Sequence, residues 1–315
     1  MRHIASLQQA HLSRPSVVTV GVFDGVHRGH QHLLRRLVAH AAKTGAIPVV
    51  LTFHPLPRLI LNGYEPGQHL TLPGDRARLL GELGVELVIT HPFDDTVRHI
   101  RAADFVDRLV EHLSMRALWV GEDFAMGYKR EGNVAFLRDQ ARQKGFDLRV
   151  VDLMDAGNER VSSTRVRTAV ATGDVLEATR LLGRPHFVFG EVVEGEKRGR
   201  AIGIPTANLA VPLDLAVPAR GVYTAWAVVG GQTYPSAVNI GIRPTFDGTS
   251  ALTVEAHLLN FSGDLYGQRL YLHFLARLRE ERKFDSVDAL VAQIREDIGR
   301  ARELFRDGIP GMSSG

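Results

Sequence analysis

Two histidines flank an arginine and a glycine in His27-Arg28-Gly29-His30, directly after the glycine-bounded run Gly21-Val22-Phe23-Asp24-Gly25-Val26. The stretch before this run, Val17-Val18-Thr19-Val20, is β-branched, and the stretch after it has helical periodicity. Glycines let a backbone come close to an anion. The free N–H groups and positive dipole end of a helix N-terminus attract one. Imidazoles and amides at such a turn can contact phosphates whose charge grows in a transition state. The pattern predicts a polyphosphate pocket with His27 and His30 as catalytic groups, and Gly21, Phe23, Asp24 and Gly29 on the nucleotide. Asp24 has two readings, to orient a histidine or to orient a substrate group.

A second cluster, Ser162-Ser163-Thr164-Arg165-Val166-Arg167, puts three hydroxyls and two guanidiniums at the start of a helical stretch. Hydroxyls there cap a helix or hold phosphate, and arginine bonds phosphate in a bidentate manner. With the histidine motif upstream, Ser163, Thr164, Arg165 and Arg167 read as a second phosphate clamp.

The elements that must position these groups follow from the apolar pattern. Strand-like runs at 16–23, 47–53, 85–90, 117–121 and 146–152 alternate with helical patterns at 29–44, 74–83, 102–113 and 133–144. In the first of these helices Leu33, Leu34, Leu37, Val38 and Ala41 share a face, and Gly45 is a stop. Alternation of this kind predicts a parallel α/β sheet covered on both faces, with ligands at the carboxyl ends of its strands. Two short helices at 163–172 and 174–182 lead to Gly183-Arg184-Pro185, where a domain boundary is expected. Beyond it, short strands at 187–194, 222–229, 233–239, 252–260 and 269–277 predict a small antiparallel barrel or sandwich. A terminal amphipathic helix is expected at 286–305, with Asp285 or Ser286 as N-cap and a loose tail at 308–315.

Composition bounds the classes. At 315 residues, 44% hydrophobic and 23% charged, the chain suits two globular domains. It has no cysteine, which excludes disulfides and thiolate chemistry. The 38 basic residues against 35 acidic form no concentrated stripe, so no nucleic-acid partner is expected. No apolar run approaches the roughly 20 residues of a membrane span, and the N-terminus lacks a signal-like apolar segment. A cytoplasmic location and no membrane partner are the expectations; oligomerisation stays open.

The histidine motif with a later Ser-Ser-Thr-Arg-x-Arg resembles the nucleotidylyltransferase superfamily. The longer string Gly21–His30 resembles the N-terminal module of the bacterial bifunctional riboflavin kinase/FAD synthetase family, as does Gly121-Glu122-Asp123-Phe124-Ala125-Met126-Gly127 with Arg130, Glu131, Gly132 and Asn133. Residues 190–209 resemble the riboflavin kinase signature. Its glycines at 195, 199 and 203 permit a loop over phosphates, with Lys197, Arg198 and Arg200 as counter-charge. Thr206 and Asn208 offer hard oxygen ligands for magnesium carried by ATP. Glu255 stands between Val254 and Ala256. Such a carboxylate is either an outward strand residue or a general base facing a pocket, and the resemblance assigns it the base.

The likeness spans about residues 15 to 305 and includes Leu278-Arg279-x-Glu281-x-Lys283-Phe284 on the flavin side. It implies a Rossmann-like domain over 1–185, an antiparallel kinase barrel over 186–315, and conversion of riboflavin to FMN and then FAD with ATP and Mg²⁺. Asp123, Phe124, Asn133 and Arg279 would contact substrate. Leu56 stands where the family has histidine, Ala125-Met126 replaces Arg-Phe, and Asn260 replaces Asp. Two alternatives stay beside this reading: a riboflavin kinase with an impaired or altered N-terminal nucleotidyltransferase, and a non-catalytic flavin-sensing protein.

Overall fold

The computed structural model describes residues 1–152, 161–195, 203–244 and 250–307. They divide into two compact units, one of residues 1–65 and 71–163, the other of 66–70 and 164 onward. The first runs β1 (Arg2–Ile4), β2 (Ser16–Val20), α1 (Arg28–Thr44), β3 (Ile47–His54), α2 (Pro57–Asn62), α3 (Pro73–Glu82), β4 (Leu87–Pro92) and α4 (Asp95–Arg98). It continues with α5 (Ala102–Leu113), β5 (Met115–Gly121), the short pair β6 (Ala125–Met126) and β7 (Gly132–Asn133), α6 (Val134–Lys144) and β8 (Asp147–Val151).

Six of these strands form a parallel sheet in the order β1-β4-β3-β2-β5-β8. Every residue of β2 is buried, as a strand covered on both faces requires. Helix α1 buries Leu33, Leu34, Leu37 and Ala41, and Gly45 ends it as expected, its N–H bonded to Ala41 O. From β2 the order runs to β3 and β4 on one side and to β5 and β8 on the other. The strand order therefore reverses at β2, and such a switch point opens a crevice at the carboxyl ends of the strands. Strand β1 was not foreseen. Arg2-His3-Ile4 has no apolar alternation, and only its pairing with Leu87–Ile89 makes it a strand.

The second unit contains nearly all of α7 (Ser163–Thr172), then α8 (Val175–Leu182), β9 (Phe187–Val193), β10 (Ala207–Ala210), β11 (Gly221–Val229), β12 (Gln232–Pro244), β13 (Ser250–Leu258), β14 (Arg269–Arg279) and α9 (Val287–Asp307). Its six strands close into an antiparallel barrel, β10-β13-β12-β11-β14-β9, with β9 paired back to β10. Closure removes every open edge, which decides between barrel and sandwich. Helix α8 packs on β14, so both short helices join the barrel's unit, ahead of the boundary expected near 185. Segment 66–70 joins it too: Gly67 N–H donates to Leu213 O (2.8 Å) and His69 N–H to Asp214 O (2.9 Å). Helix α9 lays Ile294 and Ile298 against Ile204, Ala237 and Leu259. Of the two expected caps, Ser286 is the one used, its hydroxyl accepting from Ala289 N–H (3.2 Å). The tail expected to be loose, 308–315, lies outside the described residues.

Candidate functional site

Residues 21–27 form the turn between β2 and α1, at the switch point of the sheet. Phe23 (φ 50°) and Val26 (φ 44°) are left-handed there. That region is uncommon for any non-glycine residue and an outlier for a β-branched one, so surrounding contacts must hold it. They come from Thr52, Thr71 and Arg76. Asp24, fully buried, accepts from Thr71 N–H (3.0 Å) and lies 3.6 Å from the Arg76 guanidinium, also fully buried. Arg76 donates to Phe53 O (2.9 Å), Thr71 O (2.9 Å) and Thr52 Oγ1 (3.2 Å). The Thr52 hydroxyl donates to Val22 O (2.7 Å), and Gly25 N–H donates to Thr71 Oγ1 (3.0 Å). Burial lowers the Arg76 pKa, and Asp24 opposes that shift. Among the contacts described, the Asp24 carboxylate braces the turn. Its carbonyl also accepts from the Ser163 hydroxyl (2.8 Å).

On this braced turn His27 caps α1, its Nδ1 accepting from His30 N–H (3.4 Å), which leaves the ring proton on Nε2. The two imidazoles stack with centroids 3.6 Å apart, and Phe23 meets His30 edge-on at 5.0 Å. Burial first, then the charges of His27 and Arg76, push the His30 pKa well below its ordinary value. The His30 Nδ1 is buried without a hydrogen-bond partner among the described residues. A buried nitrogen left so carries a desolvation cost that a bound ligand would relieve. Gly21 N–H bonds Leu51 O (3.0 Å), and Gly29 is buried in the first turn of α1.

The other expected groups of this half divide. Asp123 and Phe124 follow β5, the neighbour of β2 across the switch point. Phe124 packs on the sheet's core, and Asp123 O accepts from Arg130 (3.2 Å). Asn133 caps α6 by accepting from Phe136 N–H (3.0 Å). Thr164, Arg165 and Arg167 belong to the second unit. There Arg165 pairs with Glu177 (2.8 Å), and Arg167 donates to Thr164 Oγ1 (3.3 Å). Of the clamp, Ser163 lies in the first unit and reaches the histidine turn through the Asp24 carbonyl. Among the departures, Leu56 is 1% exposed, Met126 lies in the core, and Asn260 takes φ 61°, a conformation asparagine tolerates. Arg76 and Thr71 were missed; an arginine on the buried face of α3, beside Leu79 and Leu80, was the available signal.

In the barrel, Glu255 on β13 pairs with Asn208 on β10 and with Asn239 on β12. Directly paired residues project from the same face, so one carboxylate stands between two carboxamides. Val254 and Ala256, on the opposite face, are buried. Ala237, two residues from Asn239, touches α9, so Glu255 shares the outer, helix-covered face. A Cβ at Gly241, the next position on that face, would overlap the Glu281 carboxylate, which therefore leans over the same row. Gly195 has a similar constraint, since a Cβ there would overlap the Asn208 carboxamide. Gly203 (φ 76°) ends the same loop; Lys197, Arg198 and Gly199 lie outside the described residues. Thr206 is exposed just before β10. Thr206, Asn208 and Glu255 supply a hydroxyl, an amide oxygen and a carboxylate, donors suited to a hard cation. Arg279 was expected on substrate, but its fork is taken by Asp297 (2.8 and 3.1 Å), which fastens α9 to the barrel.

Residues 9–165 match the FAD synthetase family model and residues 182–305 the riboflavin kinase model. A bifunctional riboflavin kinase/FMN adenylyltransferase of Pseudomonas fluorescens is 41% identical over 305 residues, covering 96% of this chain and 97% of the relative. The chain belongs to the bifunctional riboflavin kinase/FMN adenylyltransferase family. The Escherichia coli K12 member is 39% identical over 308 residues, with 97% of each covered. A solved Streptococcus pneumoniae structure described as a macrolide-efflux protein is 32% identical, with a TM-score of 0.87 over 96% of this chain and 98% of its own. Among the described residues no helix is long and apolar enough to cross a membrane. Within the family frame, the histidine turn falls in the FAD synthetase match and the Asn208–Glu255–Asn239 row in the riboflavin kinase match.

Proposed function

We propose that the barrel transfers the γ-phosphoryl of ATP to the ribityl 5′-hydroxyl of riboflavin, and that the sheet domain adenylylates the resulting FMN to FAD, releasing pyrophosphate. The observation that carries the kinase half is the register placing Glu255 beside Asn208. Glu255 accepts the hydroxyl proton, Thr206 and Asn208 hold Mg·ATP, and the 195–203 loop with Lys197, Arg198 and Gly199 covers the phosphates. Such chemistry is mostly positioning and charge stabilisation. In the adenylyl transfer an FMN phosphate oxygen attacks the α-phosphorus directly, with no covalent enzyme intermediate. His27 and His30 steady the reacting phosphates, each donor worth about 3–4 kcal/mol. Ser163, Thr164, Arg165 and Arg167 grip the nucleotide, with Asp123, Phe124 and Asn133 on the acceptor side. Arg279 serves the flavin indirectly, by fixing the segment that follows β14. The functional modules are 1–185 and 186–315, the Ser163–Arg167 helix counted with the first by its motif. Cytoplasmic residence belongs to the same reading, since both steps draw on ATP.

Incubation with riboflavin, ATP and Mg²⁺, followed by chromatography of the flavins, tests this: FMN is expected first and FAD after it. FMN with no FAD would point to an altered adenylylating module. Flavin binding without turnover would point to a sensor. Glu255→Gln is expected to abolish FMN formation while supplied FMN is still converted to FAD, and His30→Ala to do the reverse. Loss of both steps in either folded variant would sink the two-site assignment.

A further inference from the structure

Strand β13 carries a second polar group on the face of Glu255, two residues on. His257 Nδ1 lies 2.7 Å from Pro205 O; a carbonyl only accepts, so the ring proton sits on Nδ1 and His257 donates. The β10–β13 ladder pairs Asn208 with Glu255 and Ala207 with Ala256, and ends there. One step further, the register would set Thr206 opposite His257. Among the described residues, no ladder pair holds Thr206 in that place. The bond from the His257 ring to the residue before it takes over where the ladder stops. Ile204 gives the segment a second anchor by packing with Ala237, Leu259 and Ile298. Thr206 itself stays exposed. The segment is thus held from behind, with its hydroxyl-bearing residue facing out.

We propose that His257 is a positioning residue for phosphoryl transfer, fixing Thr206 relative to Glu255 by holding the Pro205 carbonyl. The proposal rests on the assignment of Thr206 and Asn208 to Mg·ATP and of Glu255 to the base. Both ends of the reaction then hang on one strand: Glu255 is part of β13, and the Thr206 segment is tied to β13 two residues away. The spacing between base and Mg·ATP is set by the strand's own geometry and not by a loop. An error of about 1 Å in such spacing can cost roughly a hundredfold in rate.

The test uses the full chain. His257→Ala should lower kcat for FMN formation by roughly tenfold to a hundredfold and raise KM for Mg·ATP. Riboflavin binding, read by quenching of flavin fluorescence, should be unchanged, as should conversion of supplied FMN to FAD. His257→Asn should recover most of the rate, because the Asn Nδ2 reaches the place of the histidine Nδ1 from the same backbone. His257→Gln, with its donor one bond further out, should not. A merely structural histidine would not distinguish Asn from Gln. Equal rates for Asn and Gln, or a wild-type rate for His257→Ala, would overturn the proposal. Should His257→Ala fail to bind riboflavin, the Asn/Gln comparison still decides. Thr206→Ala and Asn208→Ala measured alongside separate the two levels. If they are impaired while His257→Ala is normal, only the strut falls. If both keep the full kinase rate, the ligand assignment falls and takes the strut with it.

Discussion

Arg76 shows how much of the histidine turn depends on a buried residue from another element. It is fully buried, as is its partner Asp24, and removing one member of such a pair costs about 3–5 kcal/mol because the other charge is left unpaired. Arg76→Met should therefore lower the thermal midpoint of the sheet unit and cut FAD formation from FMN at least tenfold, while FMN formation from riboflavin continues. Assaying the two steps separately on one preparation checks this; equal losses in both would show general unfolding instead. His30 makes a second prediction. Its pKa is lowered by burial and by His27 and Arg76, so the unfolded chain binds its proton more readily. Stability is then full above the ordinary value of 6.5 and declines as the pH falls through 6.5 toward the lowered value. His3 and His91, also lowered chiefly by burial, add to the slope. Thermal midpoints from pH 7.5 down to 5 should fall less steeply in His30→Gln than in the parent. Identical slopes would show that His30 is not held neutral.

At the scale of elements, α9 is held by a polar lock as well as by its apolar stripe. Asp297 is nearly buried, and it receives Arg279 and Gln293 together. Arg279→Met should loosen α9 and destabilise the barrel unit by about 3 kcal/mol, read as an earlier loss of riboflavin binding on heating. The FMN-to-FAD step at low temperature should be untouched. The apolar period alone located most of these elements: α1, α5 and α6 lie within a residue or two of their expected spans, and Gly45 and Ser286 act as the stop and cap their chemistry suggests. Strands β1 and β10 were invisible for a common reason. Each has three or four residues, too few to show alternation, and each is a strand because a distant partner pairs with it.

At the scale of the molecule, one chain joins two reactions through FMN, and Glu255 and His30 stand in different units. An equimolar mixture of Glu255→Gln and His30→Ala chains should therefore make FAD from riboflavin, after a lag in which FMN accumulates. Absence of FAD in the mixture, with each variant active in its own half-reaction, would show that FMN does not pass through solution. The amino-acid sequence by itself pointed to phosphate handling in both halves, because glycine-rich turns, hydroxyls, carboxamides and guanidiniums are local combinations of residue types; the resemblance to a family supplied the two chemistries and the role of Glu255. The sequence also determined the α/β and all-β halves, since periods of 3.6 and 2 are local. Only the tertiary structure decided what each polar group faces. Asp24 meets Thr71 across 47 positions of sequence, Arg279 turns to Asp297, and Glu255 gains its neighbours through strand register. Burial and register come from contacts between distant segments, and no short-range pattern carries that information.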